Sequence, residues 1–321
     1  MGGDSMSVRL VVMNGENGHQ AVVNPIHSLV NAFLNRENSH TRGAYRLHLT
    51  GFGQFLNSST LYEAVEGFLI QSSSEAYATV QIYRNHLIQK GLSVATVNAK
   101  LSVLRLLLQT AKQLRLITWT LKIDYLKALP YRDTRGPGAE GVKALFERLK
   151  DQPDKKSLRD YAILHLLHDL ALRRAEVVAL DLEDVQLDAL QIAILGKGHL
   201  EKQRLTLPHQ TADILRAWIQ IRGSEPGPLF INFDRAGKGH RLTAGSIYCI
   251  VRDLGQVVGI RVRPHGLRHA AITTALDLTN GNIRAVQRFA RLKDVRVVEV
   301  YDDGRKNLAG EVAEKIAASN T

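Results

Sequence analysis

Apolar residues recur at three- and four-residue steps through most of the chain from Pro25 to about Leu116, which predicts helices rather than strands. Breaks at Asn57-Ser58-Ser59 and Gly91-Leu92-Ser93 divide this stretch, with Ser or Thr placed to cap the helix that follows each. Helices are expected over 26–36, 41–56, 75–90 and 94–114, with a short one over 60–70. In the last of these, Val97, Leu101, Leu104 and Leu108 form one apolar stripe, and Asn98, Lys100, Arg105 and Lys112 lie off it as a solvated face. Residues 1–24 show no sustained period and read as a flexible N-terminal arm. A second helical block is expected over 155–180. Alternating apolar positions in VQLDALQIAIL and KQRLTL then predict short strands around Gly196-Lys197-Gly198, and helical spacing resumes after Pro208.

Breakers cluster between Tyr131 and Gly141, so that stretch is read as a linker. The expected organisation is an arm over 1–24, a helical domain over 25–130, a linker over 131–141 and a second domain over 142–321. The fold class is mainly α with a small antiparallel β-sheet.

Composition narrows the class of function. Lys+Arg number 42 against 31 Asp+Glu, a formal net charge of +11, so an extended anionic partner fits better than a neutral one. With 45% hydrophobic residues, disorder is excluded as a description of the whole. No run of about 18 apolar residues is present to span a bilayer, and the N-terminus lacks the pattern of a signal peptide. A cytoplasmic, nucleoid-associated protein without membrane contact is expected. The single cysteine, Cys249, rules out a disulfide framework and a CxxC zinc site, and is expected to be a buried apolar residue on a helix.

Four clusters carry candidate chemistry. In ALRRAEVVALDLEDV, Arg173 and Glu176 stand three apart at a helix start and can share a face. Lys197 projects from the glycine-flanked hairpin turn. In PHGLRHAAITTAL, His265 and Arg268 share a helix face, and His269 follows at i+4 as an expected structural residue. A zinc reading of His265 and His269 fails because Gly266 stands where an HExxH site needs its base. Tyr301 follows an apolar run near the C-terminus.

Together these residue types describe transesterification at a phosphodiester. Two guanidinium groups suit the phosphate and its transition state. A tyrosine of pKa about 10 becomes a nucleophile when cations or a base assist it, while lysine and histidine can supply and remove protons. A phosphotyrosyl ester retains the energy of the broken strand, so neither a metal nor a nucleotide cofactor is required.

The order Arg173, Lys197, His265-x-x-Arg268, Tyr301 resembles the tyrosine recombinase (phage integrase) family. ALRRAEVVAL is similar to that family's GLRxSELLAL segment, ILGKGHLEKQRLTLP to its IxGKGxKxRxVPL hairpin, and HGLRHAAITTAL to its HxLRHxxAT helix. SHTRGAYRLHLTGFGQFL and GLSVATVNAKLSVLRLLLQTA resemble its helical core-binding domain, so the likeness spans about residues 25–315.

The resemblance implies a two-domain C-shaped clamp around double-stranded DNA, with Arg173 and Arg268 gripping the scissile phosphate. It implies Lys197 as general acid toward the 5′ oxygen, His265 in proton transfer, and Tyr301 as the nucleophile that forms a 3′-phosphotyrosine. Glu176 would orient its neighbours. It further implies an inverted-repeat site bound by a dimer, a tetramer in the synapse, and a C-terminal helix within 304–319 that docks on a neighbouring subunit. Candidate backbone contacts are Arg42 and Arg46, Lys100 and Arg105, and Lys202 and Arg204. One position departs from the pattern: nine residues before Tyr301, where the family places His or Trp, stands Leu292, so one polar contact is missing or comes from Arg291 or Lys293. Two other functions use the same parts: a type IB topoisomerase-like enzyme, and a DNA-binding regulator that has lost turnover.

Overall fold

The computed structural model describes residues 11–14, 20–35, 39–127, 136–150, 152, 154–196, 199–235, 237–302 and 308–319. The chain divides into two compact units, 1–131 and 132–321.

The first unit opens with an antiparallel hairpin, β1 (Val11–Asn14) and β2 (Gln20–Val23), in register Val11 with Val23. Part of the stretch read as a flexible arm is thus paired: the β-branched pairs Val11-Val12 and Val22-Val23 are too short to show a period but long enough to form a ladder. Five helices follow: α1 (Pro25–Leu34), α2 (Ser39–Phe55), α3 (Leu61–Leu69), α4 (Ser73–Gln89) and α5 (Val94–Gln113). Each start from α3 to α5 has a side-chain cap, from Thr60, Ser72 and Ser93, and Ser72 and Glu75 close a capping box. The core gathers Phe33, Phe52, Phe68, Tyr83 and the α5 stripe. Asn98, expected on a solvated face, instead clamps Leu126, its amide donating to the Leu126 carbonyl and its oxygen accepting from the Leu126 amide, both at 2.9 Å. Lys100 is half-buried and lies over Gly51. The α5 face is therefore partly covered, because the segment after the helix folds back along it.

The second unit begins with α6 (Gly138–Leu149), so residues 138–141, read as linker, are its first turn. Then come α7 (Lys155–Asp169), α8 (Arg174–Val178), and the sheet β3 (Val185–Gln186), β4 (Gln191–Leu195) and β5 (Lys202–Thr206), antiparallel in that order. Helices α9 (His209–Arg222), α10 (Ala244–Val257), α11 (Pro264–Leu278), α12 (Ile283–Ala290), α13 (Arg296–Asp302) and α14 (Leu308–Ala318) complete it. Cys249 lies on α10 but is exposed, contrary to expectation, since that helix buries Ile247 and Val251 instead. Among the described residues no helix is long and apolar enough to cross a membrane.

The helical block expected over 155–180 is two helices, separated at Leu170–Arg173, where Ala171 has a φ of 45°. A left-handed alanine costs roughly 1–2 kcal/mol, so the surroundings must hold it there. They do so with arginine donors that arrive from α11 and α12.

The joint between α7 and α9 is polar. Asp169 accepts from Thr211 at 2.7 Å, and its two oxygens meet His165 Nδ1 at 2.6 Å and His168 Nδ1 at 3.0 Å. Burial alone would raise this carboxyl, but the hydrogen bonds from His165, His168 and Thr211 hold it well below the usual carboxylate range. Because the folded pKa lies below the unfolded one, the contribution is complete above the ordinary aspartate range and is lost as pH falls through the folded value. Wild-type protein should therefore lose more stability than Asp169→Asn between about pH 5 and about pH 2, a difference readable as the shift in urea midpoint. Parallel curves for the two proteins would contradict it.

Candidate active site

Three short runs converge beside α11. Pro264 at the first helical position follows an extended Arg263 and starts the helix there. This puts His265 at the helix mouth and buries Arg268 and His269 one turn on. Gly136 packs so closely against this turn that a Cβ there would sit 2.5 Å from the Gly266 carbonyl oxygen.

Arg173 is the extended residue before α8. Its backbone amide donates to Glu176 Oε2 at 2.8 Å and its Nη1 to Glu176 Oε1 at 2.7 Å. Glu176 is buried, and its second partner is Arg291 Nη2 at 3.2 Å. Arg291 ends α12 in the left-handed region at φ 53° and sends its guanidinium inward, to the carbonyls of Leu170 at 2.9 Å and Ala171 at 3.0 Å. Arg268 also donates to the Ala171 carbonyl with Nη1 and to the Ala290 carbonyl with Nη2. The strained turn at Ala171 is thus fastened by two arginines.

Three guanidinium groups therefore share one buried carboxylate. Burial first, then the like charges of Arg173 and Arg291, bring Arg268 down to about 10. It stays charged at neutral pH, and among the described residues two of its five N–H groups are taken by carbonyls. A cluster with two more cations than anions is matched to an anion such as a phosphodiester, and better to a transition state of greater charge.

Tyr301 reaches the same place from α13, packed on an apolar cluster of Ile272, Leu276, Val286, Ala290 and Val298. Burial raises its phenol above the ordinary value, while Arg268 and then Arg173 pull it down. Its hydroxyl lies 3.4 Å from His269 Nε2, and that nitrogen lies 2.8 Å from His265 Nε2. His265 is exposed at its outer edge, yet crowding around the ring, followed by the charges of Arg268 and Arg173, lowers its pKa, so it is neutral at physiological pH. Among the described residues no group of three or more His, Cys, Asp or Glu side chains is placed to hold a metal ion.

Residues 139–307 match the Phage integrase family. The tyrosine recombinase slr0733 of Synechocystis sp. is 37% identical over 261 residues, covering 79% of this chain and 83% of its own. A tyrosine recombinase of Synechococcus elongatus is 35% identical over 286 residues, covering 87% and 89%. The chain belongs to the phage integrase family of tyrosine recombinases. Its reaction is site-specific DNA recombination. The fold is shared with the XerH site-specific recombinase bound to palindromic difH substrate, at TM-score 0.67 and 17% identity over 91% of this chain and 84% of that one. It is shared also with a lambda integrase dimer bound to a core site, at TM-score 0.63 and 13% identity over 88% and 95%.

In this tyrosine recombinase, Arg173, Glu176, His265, Arg268 and Tyr301, widely separated in sequence, are gathered at one place. Lys197 lies outside the described residues. The strand ladder carries the chain to its neighbourhood, ending at the Leu195–Lys202 pair, with the His199 amide donating to the Gly196 carbonyl at 3.1 Å. Two further members of the cluster hold places that the sequence did not assign them. His269, read as structural, is the histidine in contact with the tyrosine. Arg291, one alternative source of the contact missing at Leu292, is turned onto Glu176 and the Leu170–Ala171 carbonyls. Leu292 itself packs against the apolar cluster beneath Tyr301, and Lys293 is exposed. Its place beside Leu292 pointed to Arg291, but not to the carboxylate and carbonyls it holds.

The expected backbone contacts differ in their surroundings. Arg42 and Arg46 are exposed one turn apart on α2, Arg204 is exposed on β5, and Arg105 lies 5.9 Å over the Tyr125 ring. Lys100 sits beside His48, whose pKa is lowered by burial and then by this lysine. Lys202 has a partner within the protein: its amine donates to the buried Asp184 at 2.6 Å, an ion pair that ties β5 to the turn before β3.

Proposed function

We propose that this recombinase cuts each strand by attack of the Tyr301 hydroxyl on phosphorus, leaving a 3′-phosphotyrosine and a free 5′ hydroxyl. Arg173 and Arg268 hold the non-bridging oxygens of the scissile phosphate, and Glu176 and Arg291 orient the two clamps. Lys197 protonates the departing 5′ oxygen, and His265 takes part in removing the phenol proton. Religation reverses these steps, so no cofactor enters. The observation that carries this reading is the Tyr301 hydroxyl lying in contact with an imidazole and under the influence of both guanidinium groups.

The substrate on this reading is double-stranded DNA carrying inverted repeats, read by a dimer on each site and a tetramer in the synapse, in the nucleoid of the cytoplasm. XerH recombinase bound to its palindromic difH substrate and lambda integrase bound to a core site support the partner, and palindromy of the site would mirror protein symmetry. Exposed Val312 and Ile316, one turn apart on α14, suit a helix that docks on a neighbouring subunit. Arg42, Arg46, Lys100, Arg105, Lys202 and Arg204 supply phosphate contacts. The domain limits follow the same reading: a DNA-binding unit over 25–130 and a catalytic unit over 142–321.

A duplex selected from a random library by the full chain, then nicked so that the cut product escapes, tests the proposal. Wild-type protein should accumulate a covalent adduct and Tyr301→Phe none. Binding without any wild-type adduct would leave a regulator, and relaxation of any supercoiled plasmid by monomer would identify a topoisomerase-like enzyme.

A further inference from the structure

The tyrosine needs a base, and the imidazole nitrogen in reach of its hydroxyl is that of His269, not of His265. Tyr301 Oη and His265 Nε2 both lie against His269 Nε2, at 3.4 and 2.8 Å. The rings follow suit, with centroids 4.5 Å apart for His269 and Tyr301 and 4.3 Å for His265 and His269, the latter pair at 81°. One imidazole nitrogen offers either one proton or one lone pair. It cannot serve both neighbours in the same sense, so the geometry describes a relay in which what His269 gives to His265 decides what it can take from Tyr301. The contact to the phenol is long for a hydrogen bond, as catalytic contacts are before substrate tightens them.

We propose that His269 is the catalytic residue that receives the Tyr301 proton, passing its own Nε2 proton to His265 Nε2 as it does so. The balance closes without an outside reagent. The Tyr301 oxygen forms its bond to phosphorus, and the bond from phosphorus to the 5′ oxygen breaks as that oxygen takes a proton from Lys197. One proton leaves the phenol, His269 ends as it began, and His265 gains one proton and one positive charge beside the increasingly negative phosphoryl group. A neutral His265 is ready to accept, and Tyr301, raised by burial, will not ionise unaided at neutral pH. The inference rests on the reading of Tyr301 as nucleophile and adds the path of its proton.

The test is single-turnover adduct formation on the selected, nicked duplex at saturating protein. His269→Gln should slow it by about 100-fold or more, the scale of a lost general base, while affinity for the same duplex stays within about twofold. Should glutamine cost affinity, His269→Asn is the second variant. Installing 3,5-difluorotyrosine at position 301, whose phenol ionises near neutral pH without a base, should restore at least about tenfold of the lost rate. A structural role for His269 would not respond to the acidity of the phenol. A wild-type rate in His269→Gln, or a loss that the fluorinated phenol leaves untouched, overturns the relay. So does rescue seen for His265→Gln but not for His269→Gln, which would make His265 the direct acceptor. An adduct that persists in Tyr301→Phe would instead sink the nucleophile assignment itself.

Discussion

Glu176→Ala is expected to destabilise the second unit by about 3–5 kcal/mol, the usual cost of leaving a buried charge without its partner. The carboxylate is 2% exposed, and it neutralises Arg291, whose side chain is 9% exposed, along with Arg173 at 32%. Without it three guanidinium groups face one another and the backbone amide of Arg173 loses its acceptor. Glu176→Gln should cost less, because an amide oxygen still accepts from the arginines. Pairing Glu176→Gln with Arg291→Met should recover part of the loss, since an apolar side chain needs no counter-charge. Urea unfolding of the four proteins measures this, and a Glu176→Ala midpoint indistinguishable from wild type would refute it. Adduct formation should fall in step, because Arg173 would no longer be held in one orientation.

Arg268→Lys should lower the single-turnover cleavage rate by about 100- to 1,000-fold, the range for removing one preorganised donor from a developing oxyanion. Charge is preserved in this variant, so DNA affinity should change by less than about tenfold. What is lost is the fork: Arg268 spans the carbonyls of Ala171 and Ala290 while keeping N–H groups for a phosphate, and an ammonium cannot hold that planar geometry. Rates and filter-binding affinities for the same duplex separate the two effects. A lysine variant that cleaves within about tenfold of wild type would show that the position needs a charge and not a fork.

Arg291 and Leu292 divide two tasks at the end of α12. The side chain one residue earlier reaches back to Glu176 and to the Leu170–Ala171 turn, while Leu292 fills the apolar floor under Tyr301. The end of α12 is thus joined to the start of α8 through charge, and to α13 through packing.

The helices of the first unit were legible because burial of one face imposes a period that single residues cannot hide. Expected spans of 26–36 and 94–114 compare with Pro25–Leu34 and Val94–Gln113, and Ser93 marks its own helix start. The order of Arg173, Glu176, His265, Arg268 and Tyr301 was legible as well, since few reactions call for that set of residue types. The short hairpin over Val11–Val23 was not, because four-residue strands carry almost no period. Neither was the left-handed turn at Ala171, where apolar residues on both sides continue the helical pattern.

The amino-acid sequence by itself determined the helical class, the paired strands that flank Lys197, and the chemistry available to the site. Tertiary structure alone decided which groups meet. The left-handed Ala171 exists because Arg268 and Arg291, about a hundred positions further along, donate to its carbonyl. His269 rather than His265 touches the tyrosine because α11 and α13 pack at one particular rotation. Contacts of that kind depend on distances between elements, and a linear pattern records only the spacing within each.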